Sequence, residues 1–250
     1  MKLQNKVAII TGASSGIGRG IATAFAREGA AVLVNYPTQV QKDAATQVCE
    51  EILAAGGRAI AFQGDVSEEE PVNRIVEACL TAYGKIDILV NNAGVASASP
   101  VELMPVTEWD RILAVHLRGT FLMTRRVLPL LYTQNYGRII NTASQLAYKG
   151  APGFSHYTAA KGAILSFTRS VALEIGERRV TINCVAPGAT QTPMLADVPS
   201  AVLEQIRRGI PVGRIANVAD IVPSYVFLAS DEARHYQGQC ISPNGGDVFL

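Results

Sequence analysis

Three residues in the stretch from Ser144 to Lys161 have the right types for proton chemistry: Ser144, Tyr157 and Lys161. The tyrosine follows the serine by thirteen positions, and the lysine follows the tyrosine by four. On a helix, that last spacing stacks the phenol and the ammonium on one face. A free tyrosine titrates near ~10 and is a poor base at neutral pH. An ammonium at about 4 Å favours the phenolate by roughly 4 kcal/mol near a protein surface, or about three pKa units. Such a shift would make Tyr157 an acid/base near neutrality. The pair alone also suits an amphipathic helix with a snorkelling lysine. What surrounds it decides.

The elements that must position these groups read as an alternation. Short, nearly all-apolar runs at 7–10, 31–35, 59–63, 86–90, 138–142, 181–185 and 240–242 predict strands of a parallel sheet covered on both faces. Helical patterns at 18–28, 40–55, 71–83, 106–135, 157–175 and 218–229 are long enough for right-handed crossovers. Gly29, Gly56, Gly84 and Gly176 stand just past the last apolar turn of four of them. The alternation predicts an α/β fold: a doubly wound parallel sheet of about seven strands, with ligands at the carboxyl ends of the strands. One domain is expected over 1–250.

The first strand runs into Thr11-Gly12-Ala13-Ser14-Ser15-Gly16-Ile17-Gly18-Arg19 and then a helix. Glycines there permit a tight turn and let backbone N–H groups approach a pyrophosphate at the helix start. The Gly-x-x-x-Gly-x-Gly spacing differs from the commoner Gly-x-Gly-x-x-Gly fingerprint. Arg19 could add charge or simply be solvated. After strand three, the Asp65 carboxylate beside Val66 could accept from an adenine amino group, while Ser67 and Glu70 suit a helix cap. Asn91-Asn92-Ala93-Gly94 ends strand four, where small residues leave room for a sugar or ring and the asparagines can tie strands together.

Bulk properties exclude several classes. The chain has 250 residues, a formal net charge of +1 and a charged fraction of 17%. That offers no electrostatic case for nucleic acid or an anionic membrane. No apolar run reaches the ~18 residues that span a bilayer. The four cysteines lie far apart without metal-ligand spacing and read as reduced thiols, three of them in or near the core. The N-terminus enters the first strand directly, so no signal peptide and a cytoplasmic location are expected.

With Thr-Gly-x-x-x-Gly-x-Gly, Asn-Asn-Ala-Gly, Ser144, Tyr157-x-x-x-Lys161 and Pro187-Gly188 in that order, the chain resembles the classical subfamily of the short-chain dehydrogenases/reductases, from Lys6 to about Gly246. The resemblance implies a Rossmann-type sheet with helices on both faces, a nicotinamide cofactor and a homotetramer. It implies that Tyr157 is the general acid/base, that Lys161 lowers its pKa and holds the nicotinamide ribose, and that Ser144 orients the substrate oxygen. By the same resemblance Gly12, Ser14, Ser15, Gly16, Ile17 and Gly18 face the phosphates and adenosine ribose. Asp65 and Val66 flank the adenine, with Asn91, Ala93 and Gly94 near the ribose. Pro187, Gly188, Thr190 and Thr192 then embrace the nicotinamide.

The chain departs from the family pattern in three places. His116 stands where the family has an asparagine that helps place a water linking the lysine to solvent. Either a main-chain carbonyl holds that water instead, or His116 relays the proton itself, since imidazole titrates in the useful range. At the end of strand two, Tyr36 stands between Asn35 and Pro37, where NAD-selective relatives carry a carboxylate for the ribose 2′-OH. NADP(H) is therefore favoured over NAD(H), with dual use open and with Arg19 or Lys42 as sources of charge. Near the C-terminus, Ser242-Pro243-Asn244-Gly245-Gly246 replaces a more usual Asp-Gly-Gly and is expected to sit at an interface without chemistry of its own.

The expected reaction is hydride exchange between nicotinamide C4 and a small-molecule secondary alcohol, its ketone or a sugar hemiacetal. A lid is expected over 189–212, in which Arg207 and Arg208 could meet an anion or form a solvated helix face. Gln145 beside Ser144 could bond a second hydroxyl, and His156 before the tyrosine suits sugar-oxidising members. The alternative is a 3-oxoacyl thioester reductase, although Pro129 and Leu173 occupy positions where such enzymes present arginines to an acidic carrier. The Arg125–Arg126 pair lies near and could substitute. A non-catalytic NAD(P)-sensing module would require a damaged site, and here Ser144, Tyr157 and Lys161 are all intact.

Overall fold

Strands whose side chains are apolar on both faces must be covered on both faces, and the computed structural model, which describes residues 1–196 and 198–249, shows how. Strands β1 (Val7–Ile10), β2 (Ala31–Tyr36), β3 (Arg58–Gln63), β4 (Ile88–Asn91), β5 (Gly137–Thr142), β6 (Val180–Val185) and β7 (Cys240–Ile241) form one seven-stranded sheet in the order β3-β2-β1-β4-β5-β6-β7. Every recorded pairing between these strands is parallel. This is the Rossmann-type architecture expected from the alternation of elements.

Alternate residues along β1 feed two separate cores. Ala8 and Ile10 pack with helices α1 (Gly16–Arg27), α2 (Lys42–Ala54) and α9 (Val218–Ala229), through Phe25, Ile52 and Tyr225. Val7 and Ile9 pack on the other face with α3 (Glu69–Tyr83), α5 (Gly119–Thr133) and α7 (Ser155–Ile175), through Ile75, Val127 and Ile175. The period-two alternation of a strand is what divides one apolar run between two layers.

Helix boundaries differ from the sequence reading where backbone hydrogen bonding decides. The segment read as one helix over 106–135 is α4 (Val106–Leu113), a π turn at Ala114–Arg118, and then α5, which ends at Thr133. A π turn adds one residue to a single turn and shifts the faces that follow, a phase change that one continuous 3.6-residue reading passes over. Helix α3 starts at Glu69 with Glu68 at its N-cap, and no side chain caps it. Ser67 instead donates to Asp65 Oδ1 from both its N–H (2.9 Å) and its hydroxyl (2.8 Å), so the Ser67–Glu70 cap does not form. The short α6 (Leu146–Lys149) has no counterpart in the sequence reading, whereas α8 (Ser200–Gly209) is the helix that one reading of Arg207 and Arg208 expects.

Glycines end helices as expected, with Gly29, Gly56, Gly84 and Gly176 all at positive φ. Cys49, Cys79 and Cys184 are buried and Cys240 is partly so, all with free thiols. No helix among the described residues is long and apolar enough to cross a membrane. Strand order reverses between β1 and β4, which opens a crevice at the carboxyl ends of those two strands.

Candidate active site

The crevice is built first from glycines. Gly12 has φ +60°, and a Cβ there would lie 2.8 Å from Ala93 Cα. A Cβ on Gly18 would come 2.3 Å from the Gly12 carbonyl oxygen. The loop is thus closed down on itself and against the end of β4. Thr11 Oγ1 accepts from the N–H groups of Asn92 (2.9 Å) and Ala93 (3.0 Å), and Asn92 Nδ2 donates to the carbonyls of Thr11 and Gly12. Ser15 is the N-cap of α1 in extended conformation and makes no side-chain cap bond, while Ser14 is buried beside it. The helix start therefore presents N–H groups without a side-chain acceptor, in a loop tight enough for backbone to face an anion. A dinucleotide pyrophosphate fits that donor set.

Other cofactor candidates fall into three places. Val66 and Ala93 line the same small hollow as Asn91, next to Gly119 and Thr120 of the long helix. The Asn91 amide nitrogen is committed, donating to Asn141 Oδ1 (2.8 Å) and Thr124 Oγ1 (3.1 Å). Gly16 lies under Thr192, whose Cγ2 would stand 3.4 Å from a Cβ there. That contact folds the start of the 189–212 segment back over the glycine loop. Thr190 is buried, with its hydroxyl donating to the Gly188 carbonyl. Tyr36 is buried at the end of β2, and Asn35 beside it donates to Gly64 O (2.9 Å) and accepts from the Gly12 N–H. Arg19 is taken up by Glu51 in a two-pronged ion pair, whereas Lys42 is exposed.

The proton-handling groups meet at the other end. Tyr157 and Lys161 share a face of α7, and the Lys161 Nζ lies 5.7 Å from the Tyr157 ring centre. Its ammonium donates instead to the Thr142 carbonyl at 2.6 Å. With Lys161 buried and no carboxylate opposite it among the described residues, desolvation pulls its pKa down to about 7. Burial raises the Tyr157 pKa, and the hydrogen bond to Ser144 opposes that rise. The sequence expectation of a lysine at contact distance holding down the phenol is thus corrected for the chain by itself. The nitrogen is engaged elsewhere, and Ser144 is the group that favours the phenolate. Ser144 Oγ also accepts from the Leu146 N–H (3.1 Å), which aims the hydroxyl from the start of α6.

His116 joins this cluster. The π turn carries it inward, where it is buried and lies edge-on to Tyr157 with ring centres 5.2 Å apart. Its Nε2 lies 2.7 Å from the Val95 carbonyl, and Nδ1 has no hydrogen-bond partner among the described residues. The Val95 N–H also lies 3.1 Å from Nε2, so both backbone groups of Val95 meet that one nitrogen. Burial, helped by the Lys161 charge, holds the imidazole well below its ordinary pKa. His116 is thus neutral at pH 7. Gly94 permits this placement, since a Cβ on it would strike His116 Cε1 at 2.5 Å.

The sequence reading passed over several contacts. His156 is buried behind Tyr157 and shares its Nε2 with Ser97 Oγ at 3.2 Å, and Ser97 in turn bonds Glu108. Thr142 has no chemistry in its side chain, yet its carbonyl sets the lysine. Asp247 reaches Gln145 from the far end of the chain. Arg207 and Arg208 both pair with Glu204 on α8, so they form a helix face whose charge is only partly answered locally.

Comparisons with known proteins agree with this geometry. Residues 12–247 match the family model described as enoyl-(acyl carrier protein) reductase. The 3-oxoacyl-[acyl-carrier-protein] reductase FabG of Staphylococcus epidermidis is 38% identical over 242 residues, covering 97% of this chain and 98% of the relative. The (2S)-[(R)-hydroxy(phenyl)methyl]succinyl-CoA dehydrogenase subunit BbsD of Thauera aromatica is 36% identical over 246 residues, 98% of each. Among solved structures, an NAD(P)-dependent gluconate 5-dehydrogenase assignment from Beutenbergia cavernae, with NADP bound at low occupancy, superposes with a TM-score of 0.92. It shares 36% identity and covers 98% of this chain and 97% of its own. Levodione reductase also superposes at 0.92, with 31% identity over 98% of each chain.

Proposed function

We propose, for a chain that belongs to the short-chain dehydrogenase/reductase family and is thus an oxidoreductase acting on CH–OH or keto groups, that Tyr157 is its general acid/base on a small secondary alcohol or ketone. The observation that carries the reading is the convergence of Ser144, Tyr157, Lys161 and His116 at one end of the glycine-built crevice. Bound NAD(P) supplies or accepts the hydride. The chain's own groups handle the proton. Ser144 orients the substrate oxygen beside Tyr157, and the phenol gives its proton to that oxygen in reduction or takes it in oxidation. Lys161 would hold the nicotinamide ribose.

On the cofactor side, Gly12, Ser14, Ser15, Gly16, Ile17 and Gly18 would receive the phosphates and ribose. Asp65 and Val66 would flank the adenine, and Ala93, Gly94, Pro187, Gly188, Thr190 and Thr192 would enclose the nicotinamide half. NADP(H) is favoured because no carboxylate stands at Tyr36 to repel a 2′-phosphate. Arg19 is spoken for by Glu51, so Lys42 is the remaining candidate for its charge. Gly12→Val tests the loop: a β-branched side chain at φ +60°, forced against Ala93, should weaken NADPH binding at least tenfold in a fluorescence titration. Unchanged affinity would remove the loop from the binding site.

One domain with a lid over 189–212, assembled as a homotetramer, completes the reading. The substrate class is open between polyols or sugar acids and 3-oxoacyl thioesters. The likeness to 3-oxoacyl reductases supports the second, whereas the exposed, apolar Leu173 and the ion-paired Arg125 and Arg126 offer an acidic carrier little free charge. The deciding assay follows NADPH and NADH absorbance over gluconate, sorbitol, glucose, acetoin, cyclohexanone and an acetoacetyl thioester, with Tyr157→Phe as control. Silence across that panel with cofactor bound would point to a substrate outside it or to a sensing module.

His116 is proposed to relay the proton from Lys161 through its free Nδ1. His116→Asn should then lower turnover and change the shape of its pH profile. Profiles equal in height and shape would assign the relay to a main-chain carbonyl instead.

A further inference from the structure

We propose that Asp247 is a positioning residue that couples the base of the 189–212 segment to the loop carrying Ser144; the inference rests on the oxidoreductase reading above. The Asp247 carboxylate, with its side chain 9% exposed, accepts from Gln145 Nε2 at 2.7 Å and from Lys149 Nζ at 2.7 and 2.6 Å. A carboxylate withdrawn from water this far is tolerated only with partners, and here the partners are the residues that follow Ser144. The buried Gln145 Oε1 has no hydrogen-bond partner among the described residues. The bond to Asp247 is therefore what holds the carboxamide. It also decides which way the amide points, since an oxygen turned toward the carboxylate would be repelled.

The same C-terminal turn reaches the other parts of the site. Gly188 N–H donates to Pro243 O at 3.1 Å, and Gln145 N–H donates to Pro187 O at 3.1 Å. Val212 N–H donates to Gly245 O at 3.1 Å, and a Cβ on Gly245 would come 2.7 Å from Ile210. Asn244 stiffens the turn from within, accepting from Gly246 N–H (2.8 Å) and donating to Val248 O (2.8 Å). One rigid turn thus touches the Ser144 segment, the Pro187–Gly188 turn and the end of the segment that starts over the glycine loop. Ser144 and Gln145 share a peptide bond, so freeing the Gln145 side chain loosens the Ser144 hydroxyl, which the Leu146 N–H aims from the same turn. The glycine loop is held by Thr11 and Asn92 and stays as it is.

The test is a double-mutant cycle on the panel substrate that wild type turns over fastest. Asp247→Ala and Gln145→Leu should each lower kcat about tenfold, leave the NADPH dissociation constant within about twofold, and show no further loss when combined. Asp247→Asn, which keeps an acceptor for Gln145 without the Lys149 ion pair, should restore most of kcat. Hydrogen exchange should quicken in the 200–212 peptide of Asp247→Ala while the strand peptides stay protected. Losses that multiply, or a kcat that does not change, would overturn the coupling. Exchange that quickens throughout the sheet would reduce Asp247 to a folding role. Wild-type turnover that does not depend on Tyr157 is a different result: it sinks the acid/base reading and this inference with it.

Discussion

Tyr157→Phe should lower kcat roughly a thousandfold while NADPH still binds, the loss expected when a positioned acid/base is removed. The ring remains, so its edge contacts with His116 and Phe154 are kept and the fold is not disturbed. Only the hydroxyl between Ser144 and the substrate is gone. Burial raises the phenol, so the tyrosine of the free protein is protonated at neutral pH, ready to act as an acid in the reducing direction. Oxidation needs the phenolate and should accelerate with rising pH for the same reason. The measurement is turnover in both directions from pH 6 to 10, with cofactor binding followed separately. Activity surviving in the variant would assign the proton to another group, with His116 the nearest candidate.

Lys161→Met should be nearly as damaging to turnover, and it carries a second signature in stability. The folded protein releases the Lys161 proton at about 7, whereas an unfolded chain holds it to ~10.4. Between those values the unfolded state binds more protons, so this residue makes wild-type stability rise with pH. Below the folded pKa the buried ammonium opposes folding at full strength. The methionine variant lacks this dependence. Unfolding free energies from urea titrations at pH 6 should therefore favour the variant, and the difference should shrink by up to about 4 kcal/mol as pH rises through the window from 7 to 10. Parallel curves would mean that Lys161 titrates normally, so that its approach to Thr142 O compensates for burial.

The catalytic reading was legible in the sequence because its signals are local. Tyr157 and Lys161 sit one helical turn apart, and that spacing survives any packing of α7. Gly12, Gly16 and Gly18 could be read because a tight turn between strand and helix needs glycine in any context. The parallel sheet was legible for the same kind of reason, since apolar runs without alternation must be covered twice. His116 was visible as an unusual residue, but its inward turn depends on a π turn that one continuous 3.6-residue reading passes over.

What the sequence alone determined, then, is the layered sheet and the candidate acid/base groups proposed for it, since both follow from spacings within one or two elements. Tertiary structure decided how those groups are charged and what holds them. The lysine's nitrogen points at the Thr142 carbonyl rather than the phenol, because β5 passes beneath α7. The Asn91 amide nitrogen ties β4 to β5 because Asn141 lies in register on the next strand, while its Oδ1 has no partner among the described residues. Arg19 lost its claim on a phosphate to Glu51, thirty-two residues away. Asp247 came to brace Ser144 across about a hundred residues, a contact that only the closed fold makes short enough for a hydrogen bond.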